Sequence, residues 1–156
     1  MGDQLKKWLK QTQFENLDQE VALNIFVTSY FLRSKHDEVM GKYGLTMPQY
    51  NVLRILKGVY PNGYPRCEII TRMIEPAPDV TRIIDRLLKD KLVERFNSTE
   101  DKRLSMTRIT DKGIKLLEKA NPEVQALGIY ISSTLKNSEK KDLSDLLEKV
   151  YRSEVK

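Results

Sequence analysis

At 156 residues, with 40% apolar and 31% charged residues and a net charge of +5, the chain has the length of one cored unit with attached helices and is too apolar for disorder. One cysteine excludes an intrachain disulfide framework, and one histidine excludes the usual histidine-rich metal sites. The basic balance favours a polyanionic partner once the charge is localised. No run approaches the roughly 20 apolar residues of a membrane span, and residues 1–16 lack the apolar centre of a signal peptide. The expected compartment is the cytoplasm, with no membrane partner.

In the first 16 residues, Leu5, Trp8 and Leu9 are spaced for a short amphipathic helix, with Phe14 beyond it. Packing against a neighbouring element is preferred to lying on a membrane surface. Asp18 is expected to cap a long helix reaching about Lys42. Its apolar residues, among them Val21, Leu23, Phe26, Phe31, Val39 and Met40, spread round more than one face, as in a helix that meets its own domain and a second body. Gly41 and Gly44 bracket the stop. Leu45-Thr46-Met47-Pro48 opens the next helix, with Thr46 or Met47 near the cap, and it continues through Tyr50, Val52, Leu53, Ile55 and Leu56 to about Gly58. Pro61-Asn62-Gly63 is a turn signal. A third, short helix, about Cys67 to Ile74, is expected to turn Ile69, Ile70 and Met73 inward, and Glu75-Pro76-Ala77-Pro78 leads into the fourth.

The fourth helix organises the rest. Val80, Ile83, Ile84, Leu87 and Leu88 recur at the spacing of one buried stripe, leaving Asp79, Thr81, Arg82, Asp85, Arg86 and Lys89 outward. Pro78 suits its first position and Asp79 its first turn, where negative charge complements the helix dipole. Leu92 to Phe96 then has strand character, Asn97 to Lys102 is a polar turn cluster, and Leu104 to Ile109 alternates as a returning strand. A short helix, a turn, an arginine-bearing helix and a hairpin with a charged tip form a winged helix-turn-helix, a device for reading DNA.

Thr110 is a good cap for a further helix, whose stripe of Ile114, Leu117, Val124, Leu127, Ile131 and Leu135 contains Pro122. A kink there, or two abutting helices, is expected. Asn137-Ser138 caps the last helix, with Leu143, Leu146, Leu147, Val150 and Tyr151 on one face. The fold class is therefore mostly α with a small β-hairpin wing: residues 1–44 and 111–156 are dimerisation helices, and residues 45–110 the DNA-binding domain. A two-fold dimer sets two reading helices about one DNA turn apart, roughly 34 Å.

DVTRIIDRLLKDKLVER, the wing TEDKR and LSMTRITDKG resemble the recognition helix, wing and following helix start of the MarR (multiple antibiotic resistance regulator) family, and LTMPQYNVLRIL resembles its second helix. The likeness is close over about Leu45 to Leu117 and extends to the outer helices by length and pattern. The resemblance implies a homodimeric transcription regulator, usually a repressor. Such a protein binds a pseudo-palindromic operator and often releases it on binding a small, frequently aromatic or phenolic, effector. Carried over by position, Asp79, Thr81, Arg82 and Arg86 face the major groove, and Arg95 lies near the phosphates. Arg103 reaches into the minor groove with Asp101 holding its guanidinium. Pro76-Ala77-Pro78 stands where family members often carry hydroxyl residues, which shifts recognition toward Thr81 and Arg82.

Each candidate has a plainer reading. Arg82 binding guanine O6 and N7, worth about 1–3 kcal/mol of discrimination, outweighs a merely solvated helix face. Arg86 suits phosphate better than base. Thr81 is evenly balanced between a DNA contact and solubility, and dipole compensation alone explains Asp79. Arg103 suits a narrow A·T minor groove; outside this setting it reads as a charged turn that guards a sheet edge. Lys102 and Arg95 suit phosphate contacts that position without specifying. Cys67 beside Arg66 admits a redox role, but packing is preferred. His36 is weighed as a structural group before a pH-sensitive or ligand-facing one, and Tyr30, Tyr43 and Tyr50 as core before pocket lining. The competing function is a winged-helix protein-interaction module without specific DNA binding, which would carry apolar residues in place of the outward arginines. No cofactor motif or catalytic constellation recommends an enzyme.

Overall fold

A computed structural model describes residues 2–75, 79–99 and 101–152. The chain divides into two compact units, Met1–Ala120 and Asn121–Lys156.

The first unit begins with α1 (Asp3–Leu9), where Leu5 is buried and Trp8 exposed. Helix α2 (Leu17–Lys42) is capped by Asn16, not Asp18: the Asn16 side chain accepts from Gln19 N at 2.8 Å, and the Gln19 amide returns to Glu15 N. Asp18 sits instead in the first turn, where its charge suits the dipole. Helix α3 (Met47–Lys57) starts with a reciprocal capping box, Thr46 Oγ1 accepting from Gln49 N and Gln49 Oε1 accepting from Thr46 N. Helix α4 (Arg66–Thr71) is shorter than expected. Ile69 is fully buried, but Ile70 faces solvent, because so short a helix offers one inward position per turn.

Helix α5 (Val80–Lys89) buries Val80, Ile84 and Leu87, with Ile83 and Leu88 half-buried. Asp79 is its N-cap and not a first-turn residue, so the helix starts later in the chain than expected, and the Asp79 carboxylate accepts from Arg82 N at 2.9 Å. The expectation for Pro78 lies outside the described residues. The wing is a three-stranded antiparallel sheet in the order β1-β3-β2. Its strands are β1 (Tyr64–Pro65), β2 (Val93–Asn97) and β3 (Ser105–Ile109). Strand β1 was not expected from the sequence; it sits at the edge, where proline costs no ladder bond. Leu92 and Leu104 lie just outside the strands.

The Thr110-Asp111-Lys112-Gly113 start of α6 (Asp111–Ala126) fastens the end of α5 to the wing. Thr110 Oγ1 accepts from Gly113 N at 3.2 Å and donates to Lys91 O at 2.9 Å, while Lys112 Nζ donates to Asp90 O at 2.7 Å. Lys91 holds a left-handed φ of 58°. Gly113 lies against the Leu92 carbonyl and Ile109, leaving no room for a β-carbon. The core of this unit gathers Met40, Val52, Leu53, Leu56, Ile69, Ile84, Leu87 and Ile109, all essentially inaccessible. Burial of each such side chain contributes on the order of 1.5–3 kcal/mol. This core seats α5 with its polar face outward.

In the second unit, Pro122 neither ends α6 nor divides it into two helices. The break comes at Gly128, between α6 and α7 (Ile129–Ser132). Helix α8 (Asn137–Tyr151) begins with Lys136 at the cap position, and Glu139 reaches back to accept from Lys136 N at 2.7 Å. Neither α7 nor α8 has a buried residue; Leu146 is 57% and Val150 66% exposed.

Candidate nucleic-acid interface

Helix α5 presents Thr81, Arg82, Asp85 and Arg86 to solvent because Val80, Ile84 and Leu87 fix its inner side. Arg82 and Arg86 are four residues apart, hence neighbours on the helix surface. Among the described residues, neither is ion-paired. The arginines around them differ. Arg95 on β2 pairs with Asp85 at 2.7 Å, Arg72 pairs with Glu68 at 2.9 Å and stacks over Tyr64, and Arg108 pairs with Glu94 at 2.5 Å and covers Phe96. Arg66, which drew no attention as a contact residue in the sequence, reaches from α4 to donate to Thr81 Oγ1 at 3.1 Å. The Thr81 hydroxyl thus serves as acceptor toward Arg66 and retains its own proton to donate. The Asp79 carboxylate is engaged by the helix cap.

At the wing tip, Asp101, Lys102 and Arg103 are exposed. Asp101 accepts from the backbone N–H of Arg103 at 2.9 Å, not from its guanidinium, and Leu104 N closes the turn onto Asp101 O at 2.9 Å. The acid therefore shapes the loop that carries the arginine.

A second feature of the first unit is a cavity of about 420 Å³ where α2, α3 and residues 73–75 meet. Met47, Pro48, Met73 and Ile74 supply apolar wall, and Arg33, His36, Asp37 and Glu75 supply charge and hydrogen-bonding groups. Arg33 makes a two-fold hydrogen-bonded ion pair with Glu75, Nη1 to Oε2 at 2.9 Å and Nη2 to Oε1. The Glu75 carboxylate, by hydrogen bond first and Coulombic attraction second, raises the Arg33 pKa above its ordinary value. His36 Nδ1 is buried and has no hydrogen-bond partner among the described residues. Asn51 Oδ1 accepts from Ile74 N at 3.0 Å. None of the three tyrosines considered from the sequence lines this cavity. Tyr43 donates to Lys119 O, Tyr50 is buried against Arg54, and Tyr30 is exposed. Cys67 is an exposed free thiol on α4.

No helix among the described residues is long and apolar enough to cross a membrane. The MarR family model matches residues 45–105. The chain is 27% identical over 135 residues to the HTH-type transcriptional regulator MhqR of Bacillus subtilis, covering 84% of this chain and 92% of the relative. A crystal structure of a MarR transcription factor from Planctomyces limnophilus is 33% identical and covers 87% of this chain and 98% of its own, with a TM-score of 0.67. The S. aureus MepR–DNA complex shares the fold at 22% identity and a TM-score of 0.76, covering 85% of this chain and 96% of that one. With helices α3 to α5 and strands β1 and β2 inside the family model's match, and a relative 33% identical over nearly its whole length, the chain belongs to the MarR family of winged-helix transcription regulators.

Proposed function

We propose that the protein is a repressor that binds a pseudo-palindromic operator as a homodimer and releases it on binding a small aromatic effector. The observation that carries the DNA reading is selective neutralisation. Arg72, Arg95 and Arg108 are each ion-paired to a neighbouring carboxylate, whereas Arg82 and Arg86 on α5, and Arg66 beside the neutral Thr81 hydroxyl, are ion-paired to no described residue. Two uncompensated cations on one helix surface repel each other. That cost is offset when an external polyanion meets them.

In this reading Arg82 reads guanine in the major groove, Arg86 takes a phosphate, and Thr81 donates its hydroxyl proton to phosphate or touches a thymine methyl. Asp79 orients Arg82 by capping its backbone. Arg103 enters the minor groove, with Asp101 setting its loop, and Lys102 and Arg95 contact phosphates. Residues 1–44 and 111–156 supply the two-fold contact, supported by the uncovered apolar stripe of α8. The cavity beside α2 receives the effector; its volume lies in the usual range for small-molecule sites. A regulator of this kind works in the cytoplasm. A protein-interaction module is disfavoured, because the outer face of α5 carries arginines where such a module would carry apolar residues.

The test is selection of bound duplexes from a random pool at fixed ionic strength. A palindromic consensus is expected, and Arg103→Ala loses its flanking A·T preference. Equal, weak binding to every duplex would refute the proposal.

A further inference from the structure

Helices α4 and α5 are bridged at the surface by a polar contact, Arg66 Nη1 donating to Thr81 Oγ1 at 3.1 Å. Both residues are exposed, and both helices are fixed from beneath, α4 by the fully buried Ile69 and α5 by Val80 and Ile84. A guanidinium only donates, so the Thr81 oxygen is the acceptor and its own proton is left to give away. The carboxylates of the two helices and of the α5 cap are engaged elsewhere: Glu68 with Arg72, Asp85 with Arg95, and Asp79 with the Arg82 backbone. We propose that Arg66 and Thr81 form a two-armed clamp for a single DNA backbone phosphate, spanning α4 and α5 and setting how α5 lies in the major groove. This deepens the DNA-binding reading above and rests on it.

The pair offers donors and a full positive charge. Among the described residues, no acceptor takes the remaining guanidinium N–H groups or the Thr81 hydroxyl proton. The occupant must therefore bring negative charge and more than one acceptor oxygen. A backbone phosphate has a pair of unesterified oxygens, one for the guanidinium fork and one for the hydroxyl. Base edges fit less well. Guanine would occupy the guanidinium alone, and a thymine methyl would leave the hydroxyl proton unused. The bond to Thr81 also orders the Arg66 side chain before DNA arrives, so less rotamer freedom is lost on binding. Because the clamp joins α4 to α5, one phosphate holds both helices of the helix-turn-helix against the duplex. It positions Arg82 for reading and carries no sequence information itself.

The experiment uses the full-length protein and the selected duplex, with single phosphates replaced in turn by neutral methylphosphonates, and reads affinity by fluorescence anisotropy. The parent is expected to lose about tenfold at one phosphate of each half-site, as a charge-assisted contact should. In Arg66→Gln and in Thr81→Val that penalty is expected to shrink by at least about threefold, at the same phosphate, because the two contacts are coupled. Thr81→Ser keeps the hydroxyl and is expected to bind as the parent does, whereas Thr81→Val keeps the methyl and binds about three- to tenfold more weakly. Arg66→Gln is expected to weaken selected and scrambled duplexes alike and to lower the salt slope by about one per chain. If both variants keep the parent's phosphate profile, the clamp is wrong while the DNA-binding reading stands. The clamp alone also fails if Thr81→Ser, not Thr81→Val, loses affinity, or if Arg66→Gln weakens only the selected duplex, since either outcome marks a base contact. If the parent binds every duplex equally weakly, the DNA-binding reading fails and the clamp with it.

Discussion

Gly113→Ala should unfold the junction between recognition helix and wing more readily than its size suggests. A β-carbon at this position would lie 2.7 Å from Ile109 Cγ1 and closer still to the Leu92 carbonyl oxygen. That carbonyl already accepts from Thr110 N at 3.1 Å, so it is held by the same turn that would have to move. Relief requires lifting the first turn of α6, which strains the Thr110 and Lys112 hydrogen bonds to Lys91 O and Asp90 O. Forcing a methyl into a packed site costs about 1–3 kcal/mol, and each hydrogen bond weakened costs about 0.5–1.5 kcal/mol more. Against this, alanine in place of glycine gains at most about 1 kcal/mol of helix propensity, and that in a helix interior. The balance is a loss of about 1–5 kcal/mol. Urea unfolding followed by circular dichroism, at one protein concentration, should show a lowered midpoint with the parent's m-value. A midpoint equal to or above the parent's would show that the close approach of Gly113 to Leu92 does not constrain the fold.

Three further outcomes follow from the same geometry. Arg82→Ala should cost about 1–3 kcal/mol of binding on the preferred duplex and little on scrambled ones, whereas Arg95→Ala should weaken binding evenly across sequences; competition anisotropy separates the two. Thr46→Ala removes one half of the α3 capping box and should lower stability by about 0.5–2 kcal/mol in urea unfolding; unchanged stability would mean Gln49 alone suffices. Leu146→Asp places a charge on the exposed apolar stripe of α8 and should weaken dimerisation about tenfold or more in sedimentation velocity; an unaltered dimer would place the two-fold contact elsewhere.

Much of the reading unit was legible because its signals are local. The spacing of Val80, Ile84 and Leu87 announces α5, Thr46 and Gln49 announce α3, and the polar run after Asn97 announces the wing turn. The misses came where two local solutions compete or where the partner is distant. Asn16 and Asp18 are both competent caps, and the side chain of Gln19 decides between them. Strand β1 is two residues in a glycine- and proline-marked turn, and pairing with Thr107 and Met106 makes it a strand. Arg95 reads as an unencumbered cation until the fold brings it to Asp85, ten residues away on another element. The cavity depends on Arg33 meeting Glu75 across 42 residues, which no periodic pattern encodes.

The Arg95–Asp85 pair bears on how the number of phosphate contacts is inferred from titrations. Each phosphate neutralised by a lone cation sheds its condensed sodium, and the shed ions are counted from the logarithmic dependence of affinity on salt. A phosphate approaching Arg95 meets a cation already balanced by Asp85, so that contact expels little sodium. With Arg95 on a phosphate as proposed, the ion count falls short of the number of phosphate contacts by about one for each chain bound. A contact map drawn from salt titration alone would then leave out Arg95, the phosphate contact proposed above.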